Sequence, residues 1–403
     1  MLNPDGMGLL RFLLAMCVVA AHSRSTILGL PLLQSGMAVK TFFMISGFYM
    51  TLILTSKYHA DKGGGYWLFI SNRFLRIYPS YLVVFAGSLA FLLAASAWLH
   101  RPVDRLHLWV VAWNGHHYLG LAMLGLSQVS IFGMDLVAQF NFSAGHGFGL
   151  AGASPGVPAW NFNILRQSWS ISVEMMFYLL APFICVARRW MQVVLVVAGT
   201  AAHLLAWKFL PGPLAWDVTY YFFPLQISYL TLGVLSFYLL NPFFSKRPIH
   251  PALACAILLP FAGTILFWGW MPELLGTAMC LGLAFFAIPL LFNLTRRMPG
   301  DRLFGDLSYP MYLAHIPCKW LMLAVLGVTT TDSAIVPAWA LLLVTTVAAV
   351  ALVWLVDYPV DRWRQARVAT LTARGRKVMA RELAARQGEG QGLTPVLEEA
   401  AVS

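Results

Sequence analysis

Charge is scarce in this chain. Only 11% of its 403 residues are charged, whereas 59% are hydrophobic, and the mean hydropathy is +0.71. A soluble protein has no core that could bury so much apolar surface. The alternation typical of a membrane β-barrel is also missing, and the apolar runs reach the roughly 20 residues that a helix needs to cross a bilayer. The composition therefore predicts an all-α integral membrane protein.

Cysteine is scarce as well. The five cysteines are odd in number and lie in or beside scattered apolar segments, at Cys17, Cys185, Cys255, Cys280 and Cys318. This distribution suggests neither a disulfide framework nor a metal site, and we expect no metal and no permanently bound cofactor. The first apolar run lacks a small-residue cleavage site, so we expect a membrane span there and not a signal peptide.

Ten apolar runs are candidate membrane spans. We place them at about 7–28, 38–56, 77–99, 168–187, 190–208, 219–240, 252–270, 274–293, 310–328 and 338–356. The stretch 105–139 is apolar only in patches, and we interpret it as re-entrant or interfacial.

Basic residues predict the orientation of these spans. Pairs such as Arg188-Arg189 and Arg296-Arg297 occur in alternate loops, whereas the short loop at 271–273 has no lysine or arginine. The positive-inside rule then places both termini in the cytoplasm and the long segment 100–167 outside.

The second half of this external segment is rich in glycine, serine and aromatic residues. Two interpretations are open. It could be a mobile lid over an outward-facing acceptor site, with Trp160 and Phe162 stacking on sugar rings. It could equally be a flexible connector that binds nothing.

The composition changes after residue 357. Between 362 and 386 there are seven arginines and one lysine against a single acid, Glu382. We therefore divide the chain into a membrane domain at 1–357 and a basic cytoplasmic tail at 358–403. A basic segment directly inside a membrane span meets anionic lipid headgroups more often than nucleic acid, and we expect the lipid as its partner.

Arg11 and His22 are two ionisable residues in the first apolar run. Eleven residues at 100° each return to within about 20° of the starting direction, and they separate the two groups by about 16 Å along the helix. Because ionisable groups in a bilayer are costly, such a pair indicates function, with a cation near one surface and a base deeper inside. Alternatively, Arg11 snorkels to the surface and His22 is hydrogen-bonded within the bundle.

A second pair of cations lies three residues apart, at Arg73 and Arg76, which places both on one helix face. Guanidinium groups are well suited to phosphates, and together with Arg11 they could hold a long phosphorylated cosubstrate whose reactive end reaches His22. The alternative is ordinary positive-inside charge.

Glu174 lies within the fourth span, at a depth that we expect to match that of His22. A carboxylate that holds a histidine in one tautomer is a recurring arrangement in general-base catalysis. The alternative is a simple ion pair of Glu174 with a basic residue: Arg166, Lys40 or Lys319.

Ser308, Tyr312 and His315 follow one another at spacings of four and three residues and so share a helix face. We favour a polar seam between helices for these three residues. The alternative is contact with a substrate.

Five motifs occur in a fixed order: Arg11 with His22, FFMISGF at 42–48, Arg73-x-x-Arg76 with Tyr78-Pro79, SWSISVE at 168–174 with Phe177-Tyr178, and SYPMYLAH at 308–315. With this ordered set the chain resembles the acyltransferase family 3 membrane proteins, which include O-acetyltransferases of O-antigen and exopolysaccharide. The resemblance extends over about 11–359.

The resemblance implies a multi-pass protein of the bacterial inner membrane. Such a protein transfers an acyl group, commonly acetyl from cytoplasmic acetyl-CoA, to a hydroxyl of an envelope glycan. It implies that His22 is catalytic, that Arg11, Arg73 and Arg76 bind the donor, and that Glu174 is the acidic residue of the fourth motif. Further candidates for the pocket are Ser46, Tyr78, Trp169, Ser308, Tyr312 and His315.

The chain departs from the family pattern at three places. Lys40 and Met175 stand where the family often has acids, and Asp357-Tyr358-Pro359 replaces a Glu-x-Pro element. We also see no appended external domain, so we expect the loops and spans to recognise the acceptor. The lack of such a domain favours an exopolysaccharide or an oligosaccharide as the acceptor over lipopolysaccharide.

Two mechanisms are compatible with these residues. In the first, His22 acts as a general base, Glu174 orients it, and an arginine or a backbone N–H stabilises the oxyanion. In the second, an acetyl group is carried on His22.

A different class of protein is a transporter or flippase for a lipid-linked glycan, in which buried charges line a pathway. We find no internal repeat of the kind common in transporters. A catalytically inactive scaffold is disfavoured because the five charged or titratable motif residues are all present.

Overall fold

The computed structural model describes residues 6–56, 65–103, 105–246, 248–327, 334–367 and 370. Within these ranges the chain forms helices and one small sheet. The N-terminal helices are α1 (Gly8–Ser23), α2 (Ser35–Ser56), α3 (Gly65–Trp98), α4 (Arg105–Asn114), α5 (Tyr118–Ser130) and α6 (Met134–Val137). The later ones are α7 (Ser168–Ile184), α8 (Arg189–Phe209), α9 (Gly212–Tyr221), α10 (Phe223–Lys246), α11 (Pro251–Leu266), α12 (Glu273–Thr295), α13 (Asp301–Val325) and α14 (Ala338–Leu352).

Each predicted span overlaps one of these helices. Six are long and apolar enough to cross a membrane, namely α2, α3, α8, α10, α12, and α14 together with its continuation to Arg367. The helices α1, α7 and α11 are shorter apolar helices, and α13 carries several polar residues. The all-α class is confirmed, and the helices are those of a multi-pass membrane protein. The number of ten crossings and the cytoplasmic termini stay predictions.

The segment 105–139 contains α4 and α5, which have 10 and 13 residues. Both are shorter than the roughly 20 residues that a crossing helix needs. These lengths agree with the interpretation of this segment as re-entrant or interfacial.

The helix α3 begins much earlier than the predicted span at 77–99. Its 34 residues include Arg73 and Arg76 together with Pro79 in its interior. A hydropathy pattern ends where charges begin, whereas the backbone hydrogen bonds of a helix continue through them. The paired arginines therefore project from the first half of a continuous helix.

The glycine-rich segment that we predict to be external contains a three-stranded antiparallel sheet of β1 (Phe140–Ser143), β2 (Gly147–Leu150) and β3 (Val157–Pro158), in the order β2-β1-β3. Gly156 has φ +124°, and a Cβ on this residue would collide with the backbone of Phe142. The glycine is thus required by a close backbone approach. The segment forms a sheet, and its interpretation as a connector that binds nothing stays a prediction.

Phe162 cannot stack on a sugar ring as predicted, because it is 0% exposed. Its ring packs against Phe142 and Phe148 at centroid distances of 5.1 and 5.4 Å, so the aromatic residues fasten the sheet to the chain that follows it. Trp160 is half-buried, and the Arg166 guanidinium lies 4.8 Å from the centre of its ring. Whether the sheet acts as a lid stays a prediction.

The most buried of the span-length helices is α2, which packs most extensively on α10. Their backbones come together at glycines, since a Cβ on Gly47 would collide with the backbone of Leu230 and one on Gly233 with that of Met44. Small residues permit this approach in membranes, where helix association depends on close packing. The contact also fixes the position of Ser46, next to Gly47.

Gly47→Ala should therefore destabilise the protein by about 1–3 kcal/mol, since the new methyl group has no space between the two helices. The matched control is Gly282→Ala on α12, where nothing lies within 4 Å of an added Cβ. The control should be neutral or slightly stabilising. Thermal unfolding in detergent measures both variants, and equal stability of the two would contradict this packing.

Candidate active site

A cavity of about 720 Å³ opens among α1, α2, α3, α7, α13 and the helical continuation of α14. It brings together seven of the predicted site residues: Arg11, Ser46, Arg73, Arg76, Glu174, Ser308 and Tyr312. A second cavity of about 770 Å³ lies between the end of α3 and the helices α4 and α5, but its lining is mainly apolar and includes none of the predicted site residues. The first cavity is therefore the candidate active site.

Charges of both signs line this cavity in equal number. The described lining includes five arginines (Arg11, Arg73, Arg76, Arg302, Arg364) and five acids (Glu174, Asp301, Asp306, Asp357, Asp361). Each of these acids has a partner in the protein: Ser46 and Tyr178 for Glu174, backbone N–H groups for Asp301, Arg302 for Asp306, Ser80 for Asp357, and Arg364 for Asp361.

Not every arginine of the cavity forms an ion pair with one of these acids. Within the described residues, Arg11 and Arg76 have no carboxylate within the 4.0 Å of an ion pair. A guanidinium that lines a cavity without such a partner offers its N–H groups to an anion. This end of the cavity can therefore bind phosphate groups.

The helix α1 is held at both ends by α13. At its start, the Asp301 carboxylate accepts the backbone N–H groups of Gly8 and Leu9 at 2.7 and 3.0 Å. At its end, the buried Lys319 ammonium donates to the carbonyl of His22 at 2.9 Å. An acid at the start of a helix and a cation at its end both complement the helix dipole. The two contacts fix α1, and hence Arg11 and His22, relative to α13.

The rings of His22 and His315 lie side by side, with their centroids 4.7 Å apart. In His22, Nδ1 lies 2.8 Å from the Val18 carbonyl, and in His315 it lies 2.6 Å from the Tyr312 carbonyl. A carbonyl oxygen only accepts, so Nδ1 must carry the proton in both residues. In the neutral form of each ring the basic nitrogen is therefore Nε2, which is the arrangement that a general base needs.

His22 is not among the described residues that line the cavity; its ring lies against His315, and the His315 ring lies near the lining residue Tyr312. The Tyr312 ring lines the cavity on one side and lies 5.9 Å from the His315 ring on the other. Its hydroxyl contacts the Ser170 hydroxyl at 2.6 Å and donates to the Gln167 carbonyl at 2.9 Å. Tyr312 thus joins α13 to α7, as the polar seam predicts, and it also closes the cavity on the side of the two histidines.

Glu174 accepts hydrogen bonds from Ser46, at 2.8 Å, and from Tyr178. The three basic residues considered as its ion-pair partners are engaged elsewhere: Arg166 donates to Asn161, Lys40 lies over the Tyr229 ring, and Lys319 caps α1. The structure places Glu174 at the cavity wall with Arg11, and its role in orienting His22 stays a prediction.

Three of the pocket candidates lie outside the cavity lining: His315, which lies against His22, and the two aromatic residues Tyr78 and Trp169. Tyr78 donates to the Val129 carbonyl at 2.8 Å and stacks on Phe74, and Trp169 packs between Phe43 and Tyr220. Ser308 does line the cavity, although its hydroxyl donates to the Gly305 carbonyl one turn earlier. The two aromatic residues hold α3 and α7 in place.

Sequence reasoning missed the contribution of the basic tail. The helix does not end at residue 357, and beyond it Asp361 and Arg364 line the cavity. Arg364 was expected to meet lipid headgroups; the structure places it in the cavity lining, and the lipid partner of the tail stays a prediction. The i, i+4, i+7 spacing of Asp357, Asp361 and Arg364 was a usable signal of a common helix face. The tail from 371 to 403 lies outside the described residues.

Comparison with known proteins identifies one family. The model of the acyltransferase 3 family, described as an acyltransferase domain, matches residues 5–358, and the chain belongs to this family. No curated protein and no solved structure matches the chain. The family favours acyl transfer over the alternative of a transporter or flippase.

Removal of the cap on α1 should cost stability. Asp301→Ala leaves the N–H groups of Gly8 and Leu9 without their acceptor, and we expect a loss of about 1–2 kcal/mol in the free energy of unfolding. The control is Asp306→Ala, in the next turn, whose partner Arg302 has a side chain that is 59% exposed. Such an exposed pair contributes about 1 kcal/mol or less. Unfolding curves in which Asp306→Ala is the less stable variant would refute the role of the cap.

Proposed function

We propose that this acyltransferase takes an acetyl group from cytoplasmic acetyl-CoA and transfers it to a hydroxyl of an envelope glycan at the bacterial inner membrane. The observation that carries the proposal is the pair Arg11 and Arg76, which line the cavity without a carboxylate partner among the described residues. Acyl-CoA is a thioester on a long arm with a diphosphate at the other end. Its length and its charge suit a site with cations at one end and a base further in.

The diphosphate would lie between α1 and α3, held by Arg11, Arg73 and Arg76. Planar guanidinium groups bind phosphate oxygens in pairs, which fixes the direction of the molecule as well as its affinity. Because these arginines precede the apolar parts of their helices, the positive-inside rule supports entry of the donor from the cytoplasm.

The acyl group would lie beside His22. Arg11 and His22 are about 16 Å apart along α1, a distance that an extended pantetheine arm can cover. Tyr312 closes the cavity on this side. The arm must therefore pass or displace the Tyr312 ring, and loss of its hydrogen bonds to Ser170 and Gln167 would accompany donor binding.

The chemistry follows from the protonation of His22. Its neutral Nε2 removes the proton of the acceptor hydroxyl while the oxygen attacks the thioester carbonyl. The tetrahedral intermediate then collapses, the C–S bond breaks, and the imidazolium returns the proton to the CoA thiolate. Glu174, in the cavity wall, would orient the reacting groups. The other route, in which His22 itself carries the acetyl group, predicts an acetylated enzyme in the absence of acceptor.

Three associated proposals concern the surroundings of the site. The acceptor is an exopolysaccharide, a lipopolysaccharide sugar or a lipid-linked oligosaccharide, and it approaches from the outer side, where the small sheet lies. The tail beyond residue 370 contacts anionic lipid headgroups. The N-terminus lies in the cytoplasm with this tail.

The test is release of free CoA by purified protein in liposomes that contain host envelope glycans. His22→Ala should lower glycan-dependent release by about 10²- to 10⁴-fold, as expected for loss of a general base. The matched control is His203→Ala on α8, because His203 also has Nδ1 bonded to a carbonyl one turn earlier, at 2.8 Å from Gly199. The control should keep its activity within about twofold.

Two outcomes would contradict the proposal. The first is a native protein that releases no CoA and is not stabilised by acetyl-CoA. The second is equal activity of His22→Ala and His203→Ala.

A further inference from the structure

The last helix runs past the membrane span and along α3. After α14 the chain makes a π-helical turn at Val353–Asp357 and then continues as a helix through residue 367. Two contacts join this continuation to α3. Ser80 donates to the Asp357 carboxylate, and Arg367 donates to the Ser71 hydroxyl at 3.0 Å. Since Asp357 meets the later residue of α3 and Arg367 the earlier one, the two segments run antiparallel.

This pairing gives the level of the residues between the two contacts. Both segments rise by about 1.5 Å per residue, so a residue seven positions after Asp357 lies opposite the position about six or seven before Ser80. Arg364 is therefore at about the level of Arg73, and Arg76 lies about one turn further along α3, towards Ser80. The cavity lining thus has Arg364, from the continuation of α14, at the level of Arg73, the first arginine of α3.

Arg364 differs from a lipid-facing arginine in its surroundings. Its side chain is only 15% exposed, and it lines the cavity together with Asp361. One terminal nitrogen donates to the Asp361 carboxylate, whose other oxygen accepts from Gln365 at 2.8 Å. Its Nε–H is buried and has no hydrogen-bond partner among the described residues.

A buried N–H without a partner is costly, and a ligand acceptor removes that cost. Asp361 holds the guanidinium in place but uses only part of its five N–H groups. The remaining donors suit a compact group with several acceptor oxygens and two negative charges. A phosphate monoester has these properties.

We propose that Arg364 forms a phosphate-monoester subsite at the mouth of the cavity, which takes the ribose 3′-phosphate of the acyl-CoA donor. The inference rests on the proposed function, because it assigns one part of the same donor. Arg76, about one turn further along α3, and Arg11 on α1 are left for the diphosphate, which is closer to the thioester in the molecule. Arg364 then makes the enzyme prefer CoA over dephospho-CoA, and its contribution is to donor binding and not to the acyl-transfer step.

The test compares acetyl-CoA with acetyl-dephospho-CoA, which lacks only the 3′-phosphate. The native protein should have a KM about 10- to 100-fold higher for the dephospho donor, the effect of one charge-assisted pair of hydrogen bonds. In Arg364→Ala the KM for acetyl-CoA should rise to the dephospho value, while kcat and the KM for the dephospho donor stay unchanged. The unchanged dephospho kinetics also show that this variant is folded.

Two further variants sharpen the comparison. Arg367→Ala removes a cation from the same helix that bonds to Ser71 and does not line the cavity, so it should keep the native preference. Arg364→Lys should restore part of the preference, because an ammonium supplies charge without the planar fork. Thermal shifts with CoA and dephospho-CoA measure the same preference without turnover.

The outcomes separate this inference from the proposed function. A native protein that neither binds nor uses either donor refutes the proposed function. A native protein that uses both donors equally, or an Arg364→Ala variant that keeps the native preference, overturns the phosphate-monoester subsite and leaves acyl transfer in place.

Discussion

The contact of α1 with α13 is the constraint on which the site depends. Asp301, at the start of α13, binds the start of α1, and Lys319, in the second half of α13, binds the end of α1. The two helices are therefore parallel, and α1 can neither slide nor tilt without loss of a charge-assisted hydrogen bond. Because Arg11 and His22 lie near the ends of α1, the same two contacts set the distance and direction between the candidate donor site and the candidate base. The residues that stand between these two sites, Tyr312 and His315, also belong to α13.

The charges of the cavity are arranged so that the arginines remain available to a ligand. Buried ionisable groups are costly in a membrane protein and generally have partners. Here the acids are engaged by hydroxyl groups, backbone N–H groups and two arginines, Arg302 and Arg364. The equal number of acids and arginines limits the net charge of the cavity. The pairing leaves Arg11 and Arg76 without a carboxylate partner among the described residues, which favours binding of an anionic donor there.

Much of this could be predicted from the sequence. Hydropathy located ten spans that each overlap a helix, because an apolar run of fixed length is the direct consequence of bilayer thickness. The periodicity of the α-helix correctly placed Arg73 and Arg76 at one cavity. The sequence could not show that Ser308 and Tyr312 line this cavity while His315 lies against His22, since that depends on how α13 is rotated against two other helices.

The failures have physical causes too. Hydropathy describes transfer of a segment from water and says nothing of a partner far along the chain, so Asp301 and Lys319 as caps of α1 were not foreseen. The place of Arg364 in the cavity lining was not foreseen because its neighbours in sequence are basic, and only the antiparallel contact of its helix with α3 brings it there. Phe162 was predicted to stack on sugar rings because its segment is rich in aromatic residues, yet the ring of Phe162 packs against those of Phe142 and Phe148.

The central claim is that one donor spans the site from the arginines to His22. A structure of the native protein in lipid nanodiscs with a non-hydrolysable acetyl-CoA analogue tests it directly. The account predicts diphosphate oxygens within hydrogen-bond distance, about 3 Å, of the Arg11 and Arg76 guanidinium groups. It also predicts a displaced Tyr312 ring and the acyl carbon next to His22. A nucleotide bound away from both arginines, or an acyl group that ends at Glu174 with Tyr312 unmoved, would contradict it.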